Sequence, residues 1–213
     1  GAPADVYVVN TCTVTGTGDK KSLQAIRRCR RRNPGAELVV TGCLAQRMGE
    51  ALRETGARLI LGTQYRARVV ELLEQAVREG MQMVAVEGVS NAPYEPLSIH
   101  SHEGHTRAVM KIQEGCDNRC SYCAIPLIRG GYRSRTMESI EEECKSLVAN
   151  GAKELVLIAQ DTSRYGIDLY GEYSLAKLME RLCRIDGLRW LRVLYCYPDS
   201  ITDELLEVMA REE

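Results

Sequence analysis

The sequence predicts an α/β chain built as two parallel-sheet modules. Three observations predict this: short β-branched runs alternate with amphipathic stretches, the alternation breaks once at an aperiodic segment holding Pro93 and Pro96, and the charge changes sign at that break. Residues 1–86 carry 13 Lys and Arg against 8 Asp and Glu, whereas residues 87–213 carry 15 against 21, so the net charge of −1 hides a basic module and an acidic one. Such asymmetry points to separate modules, one of them facing a polyanion, or to ordinary surface variation between two domains.

In the first module, residues 5–10 (DVYVVN), 37–41 (ELVVT) and 58–61 (RLIL) read as strands, and residues 81–86 as one more. Helical spacing follows each of the first three. Residues 19–32 place Leu23 and Ile26 on one face and stop at Asn33-Pro34-Gly35; residues 46–55 stop at Gly56; residues 65–79 carry Val69, Leu72, Leu73 and Ala76 and stop at Gly80. Repeated strand-helix units imply a parallel sheet with helices packed on it.

The second module resumes after residues 87–105. Residues 107–113, 154–160 and 190–195 read as strands and residues 137–150, 174–185 and 202 onward as helices, the last opened by the N-capping string Thr202-Asp203-Glu204. Near-continuous apolar strands suggest a parallel barrel or open sheet buried on both faces. Three strands cannot close a barrel, so the expected architecture is part of one, in a fragment or a chain that needs a partner.

The composition, 45% hydrophobic and 27% charged over 213 residues, excludes disorder and collagen-like repeats. No apolar run approaches the roughly 20 residues of a membrane span, and GAPADVYVVN lacks a signal-peptide pattern. The expectation is a cytoplasmic chain with no membrane partner, whose nine cysteines stay reduced unless a metal or cluster claims them.

Cys116, Cys120 and Cys123 supply the chemistry, spaced C-x3-C-x2-C on one loop. Three thiolates on one loop suit a 4Fe-4S cluster with one open iron, where a small molecule can chelate; a zinc knuckle completed by a distant residue is the alternative. His100, His102 and His105 crowd the linker, as metal ligands or as solvated side chains.

The motif, with Tyr122 just before its last cysteine, resembles the radical S-adenosylmethionine superfamily, and KIQEGCDNRCSYCAIPLIRGGYRSR (residues 111–135) is similar to the radical motif of its methylthiotransferases. The resemblance implies that Cys116, Cys120 and Cys123 hold the cluster whose open iron binds S-adenosylmethionine, and that electron transfer cleaves the sulfonium to a 5′-deoxyadenosyl radical. It further implies a methylthiotransferase domain over residues 1–88 with its start missing, a linker over 89–105, and the first half of a radical SAM partial TIM-type barrel over 106–213. The family's small TRAM barrel is expected to be absent from this stretch. Asn10-Thr11-Cys12 and Thr41-Gly42-Cys43 resemble two of the three cysteine motifs that hold the family's auxiliary 4Fe-4S cluster. Both fall at the carboxyl end of an expected strand, where open α/β sheets place ligands. The third ligand is missing, so the auxiliary site is expected to be incomplete; Cys29 matches no family ligand.

The resemblance also implies substrates. Residues 157–171 (LIAQDTSRYGIDLYG) look like the branch that modifies an aspartate of a small-subunit ribosomal protein, whereas NTCTVT and GTQYR look more like the branch acting on threonylcarbamoyladenosine in tRNA. The radical domain borders the reacting site, so the ribosomal protein is preferred and tRNA is the alternative; a truncated, non-catalytic iron-sulfur protein is the reading of another class. Expected partners are the ribosome or tRNA and an electron donor such as flavodoxin or ferredoxin. Gln160 is expected to contact the cofactor's methionine moiety or to cap its strand. Arg133 and Arg135 are expected to meet the cofactor carboxylate or substrate, or to be solvated, and Tyr122 to shield the cluster. Cys144, Cys183 and Cys196 read as core packing. Residues 27–32 (RRCRRR) read as a grip on RNA phosphates or as a solvated helix end.

Overall fold

The computed structural model describes residues 4–13, 15–89, 94–95, 97 and 106–212. It divides into two units, Gly1–Glu95 with Arg119–Gly130, and Pro96–Asn118 with Gly131–Glu213. Residues 119–130, expected from sequence within the second domain, group with the first unit.

The first unit alternates β1 (Val6–Thr11), α1 (Gly16–Arg32), β2 (Glu37–Gly42), α2 (Cys43–Met48), β3 (Leu59–Leu61), α3 (Val69–Arg78) and β4 (Met83–Ala85). The four strands form one parallel sheet in the order β1-β2-β3-β4. Successive strand side chains point to opposite faces. Accordingly Leu38, Val40 and Ile60 pack with Ile26 of α1 and Ala45 of α2, while Val39, Leu59 and Leu61 pack with Leu72 of α3.

Two helix boundaries differ from the sequence expectation. Helix α1 begins three residues before residue 19 because Thr15 caps it, its hydroxyl oxygen accepting the Gly18 amide at 3.0 Å. The helix expected over 46–55 instead starts at Cys43 and passes at Gly49 (φ 45°) into a 3-10 turn, Gly49–Thr55. The Cys43 thiol therefore stands on the first residue after β2.

The second unit contains β5 (Arg107–Lys111) and β6 (Gln113–Glu114). After α4 (Ile125–Arg129), which belongs to the first unit, it continues with β7 (Arg133–Ser134), α5 (Met137–Ala149), β8 (Glu154–Ile158), α6 (Ile167–Tyr170), α7 (Leu175–Cys183), β9 (Trp190–Val193) and α8 (Asp203–Arg211). Strands β5, β8 and β9 run parallel in the order β5-β8-β9, and β6 pairs antiparallel with β7. Met110, Leu155 and Leu157 share one core with Ile140 and Leu147 of α5, Leu178 and Leu182 of α7, and Leu205 and Val208 of α8. In the parallel sheet of this unit, burial on both faces is confined to β8, the strand with a neighbour on each side; β5 alternates, and Trp190 and Arg192 of β9 are exposed. Among the described residues no helix is long and apolar enough to cross a membrane.

Candidate iron-sulfur sites

In the first unit, Thr11 of β1 is the register partner of Gly42 of β2, so Cys12 and Cys43 each follow a paired strand end. Ser22 of α1 clamps the Cys12 backbone, accepting its amide and donating to its carbonyl, both at 3.1 Å. The Thr11 hydroxyl donates to the Thr41 carbonyl at 2.5 Å. Gly42 has φ 93°, and a Cβ there would lie 2.5 Å from Asn10 Oδ1 and closer still to the Thr11 carbonyl oxygen. The two cysteine strings thus interlock: Asn10 and Thr11 of one occupy the space that a side chain on Gly42 of the other would need. Cys12 is exposed and Cys43 is buried, its sulfur accepting a hydrogen bond from Arg129 Nη2 at 3.2 Å. Cys29 packs against the core shared by α1 and the sheet.

In the second unit, two consecutive residues beyond β8 hold the start of the cysteine loop. Gln160 Oε1 accepts the Gly115 amide at 2.8 Å, and Asp161 Oδ2 accepts from Asn118 Nδ2 at 2.8 Å. Asp161 is 1% exposed, and its other oxygen accepts from the Ser163 amide and hydroxyl. The Tyr132 phenol donates to Asn118 Oδ1 at 3.1 Å and lies 3.8 Å from Cys116 Sγ, while the Tyr132 amide donates to Asp117. Burial, with the negative character of Cys116 and Asp161 beside it, pushes the Tyr132 phenol far above its usual range, so it remains a proton donor.

On residues 119–130, Arg119 adopts φ 50° and the Cys123 amide donates to the Cys120 carbonyl at 2.9 Å, making a tight turn between two cysteines. Tyr122, between these two cysteines, is 89% exposed. Arg133 is half-buried on β7, opposite Glu114. Arg135 is buried; its guanidinium pairs with Glu143 at 2.7 Å and donates to the Lys111 carbonyl and to Ser139. The fork expected to meet the cofactor is turned inward and ties β5 to α5. Gln160 does cap a backbone amide, though of the loop rather than of its own strand.

Cys144 is buried in the α5 core, its thiol pushed up to about 12 by burial and by Glu141 and Glu143 nearby; burial, with Glu212 nearby, raises Cys183 as well. Cys196 Sγ sits 3.3 Å from the Thr162 hydroxyl. Arg30 of the basic run is used internally, donating to the Ala36 and Gly56 carbonyls, while Arg27, Arg28, Arg31 and Arg32 are exposed. His100, His102 and His105 lie outside the described residues.

The donor chemistry fits iron-sulfur ligation. All nine cysteines are free thiols, and those of both motifs stand at loop or strand-end positions. Among the described residues no three His, Cys, Asp or Glu side chains gather tightly enough for one metal ion; thiolates that bind separate irons of a cluster stand further apart than ligands of a single ion.

Residues 1–62 match the model of an uncharacterised protein family, UPF0004, and residues 110–213 match the radical SAM superfamily. The chain is 46% identical over 216 residues to the ribosomal protein uS12 methylthiotransferase RimO of Desulforamulus reducens, covering 98% of this chain and 48% of that protein. The chain belongs to the radical SAM methylthiotransferase family.

Other relatives divide by substrate name. RimO of Clostridium tetani is 42% identical over 99% of the chain and 48% of that protein. The threonylcarbamoyladenosine tRNA methylthiotransferase MtaB of Bacillus subtilis is also 42% identical, over 99% of the chain and 47% of its own length. The chain thus spans about half the length of the curated relatives it matches. Its fold matches the radical S-adenosylmethionine methyltransferase TsrM of Kitasatospora setae with a TM-score of 0.65 at 18% identity, over 96% of this chain and 46% of that one.

Proposed function

We propose that this chain carries the iron-sulfur sites of a methylthiotransferase that replaces a C–H bond with C–S–CH3 on an aspartate of ribosomal protein uS12. The observation that carries the reaction class is the double fixing of the cysteine loop: Gln160 and Asp161 hold the residues flanking Cys116, while Cys12 and Cys43 stand side by side at two strand ends. Cys116, Cys120 and Cys123 would hold one 4Fe-4S cluster, which with S-adenosylmethionine on its open iron supplies one-electron bond cleavage. Cys12 and Cys43 would supply two ligands to a second cluster. Around the first cluster the Tyr132 phenol, donating to Asn118, stands 3.8 Å from the Cys116 sulfur, and Asp161 fixes Asn118 on the far side of that cysteine. Gln160 keeps its amide nitrogen for the cofactor, while Arg133 on β7 would face it from the loop's return strand.

The ribosomal substrate is supported by the names of the relatives at 46% and 42% identity and by the string at residues 157–171. A second reading, a tRNA methylthiotransferase acting on threonylcarbamoyladenosine, is favoured by the 42% identity to MtaB. The exposed Arg27, Arg28, Arg31 and Arg32 suit phosphates of either a ribosome or a tRNA. An electron donor such as flavodoxin or ferredoxin would complete the reaction, in the cytoplasm where its substrate is made. The test is mass analysis of uS12 peptides and tRNA nucleosides from cells with and without the full-length gene. Loss of methylthio-aspartate from uS12 alone supports the main reading; loss of the methylthio nucleoside with uS12 unchanged replaces it with the second.

A further inference from the structure

We infer that Arg129 is a positioning residue for the second cluster, holding Cys43 by a hydrogen bond to its sulfur and setting the cluster's reduction potential. This rests on the reading of Cys43 as a ligand. Arg129 Nη2 lies 3.2 Å from Cys43 Sγ, and Cys43 is 5% exposed, so the contact sits where water screens it little. The arginine is aimed by its helix. Pro126 opens α4, the Ile128 side chain is buried at 2% exposure beside it, and Gly130 (φ 76°) ends the helix immediately after Arg129. Helix α4 follows Cys123 by one residue, so the segment that carries two ligands of the radical cluster also delivers a cation to the other thiol. Hydrogen bonds and positive charge at a ligand sulfur favour the reduced, more negative state of a cluster and so raise its potential. A guanidinium also fixes the sulfur's direction through a rigid fork, which a lysine ammonium does not.

The experiment uses the full-length protein with Cys116, Cys120 and Cys123 replaced by Ala, so that the second cluster alone is read. In that background R129M, R129K and C43A are reconstituted, their iron counted, and their potentials titrated by EPR. The expected result is a lower midpoint in R129M with iron retained, an about tenfold lower reduced-to-oxidised ratio at a fixed potential, or 59 mV for one electron. R129K, which keeps charge but not the fork, falls between; should R129M lose its iron, R129K is read against the parent by the same criterion. A midpoint and EPR signal equal to the parent's in the arginine variants, with C43A losing the cluster, overturns the role of Arg129 and leaves the ligand reading standing. A C43A variant that keeps its full iron and spectrum overturns the ligand reading, and the inference with it.

Discussion

Gln160 Oε1 accepts the Gly115 amide hydrogen at 2.8 Å, so a side chain just beyond β8 holds the residue that precedes Cys116. Asp161, next in the chain, holds Asn118 on the other side of the same cysteine. Q160L keeps the approximate volume and removes the acceptor, leaving a part-buried amide unpaired at a cost of about 1–3 kcal/mol. That cost falls on the loop rather than on the core. In reconstituted full-length protein, iron loss to a chelator should be several-fold faster in Q160L while the unfolding midpoint moves little. An unchanged rate would show that the bond does not restrain the loop.

Gly42 sets the spacing of Cys12 and Cys43. Its φ of 93° is one that side chains avoid, and an added Cβ would meet Asn10 Oδ1 and the Thr11 carbonyl. G42A should therefore destabilise the first unit by about 2–4 kcal/mol, combining backbone strain with overpacking. Urea unfolding followed by circular dichroism measures this. A loss of only a few tenths would mean that the strand ends can part freely, and the interlocking of the two cysteine strings would not hold.

The sequence displayed the parallel sheets and long helices because their periods extend over many residues: DVYVVN, ELVVT and ELVLIAQ became β1, β2 and β8 within a residue or two. Elements of two to five residues were not legible. Strands β6 and β7 hold two residues each and α4 holds five with a proline among them, too few to show any period. The cysteine motifs were legible as spacing, whereas the residues that hold them were not. Ser22, Asn118, Tyr132 and Arg129 act through contacts 10 to 86 positions away in the chain. Arg135 misleads in the same way: an arginine in YRSR reads as a cofactor contact or as solvated until Glu143, in the second turn of α5, is seen to neutralise it.

That pair yields a third expectation. The Arg135 and Glu143 side chains are 4% and 3% exposed. Removing one charge from a buried pair strands the other, typically costing 3–5 kcal/mol, whereas replacing both by apolar groups of similar volume is often neutral. E143A should lower the unfolding free energy of the second unit, read from urea titration, by an amount in that range, and R135M/E143L should recover most of it. An E143A loss well below that range would mean that Arg135's bonds to Lys111 and Ser139, which this variant keeps, satisfy the guanidinium without its partner.

Cys144 gives a pH dependence whose sign is fixed by its burial. Its thiol is pushed from an ordinary value of 9.0 to about 12, first by burial and then by Glu141 and Glu143. Above the unfolded value the unfolded chain releases this proton while the folded chain keeps it, so the unfolded state binds fewer protons and stability falls as pH rises. The contribution is complete below pH 9 and is lost progressively toward pH 12. C144A removes the thiol at the cost of a small cavity, a penalty independent of pH. Measured by urea unfolding of the metal-free chain, the stability gap between parent and C144A should be constant below the lower limit and shrink or reverse above it. A gap that stays constant across the alkaline range would mean that the thiol ionises as easily folded as unfolded, which a side chain with no solvent exposure in an apolar core does not do.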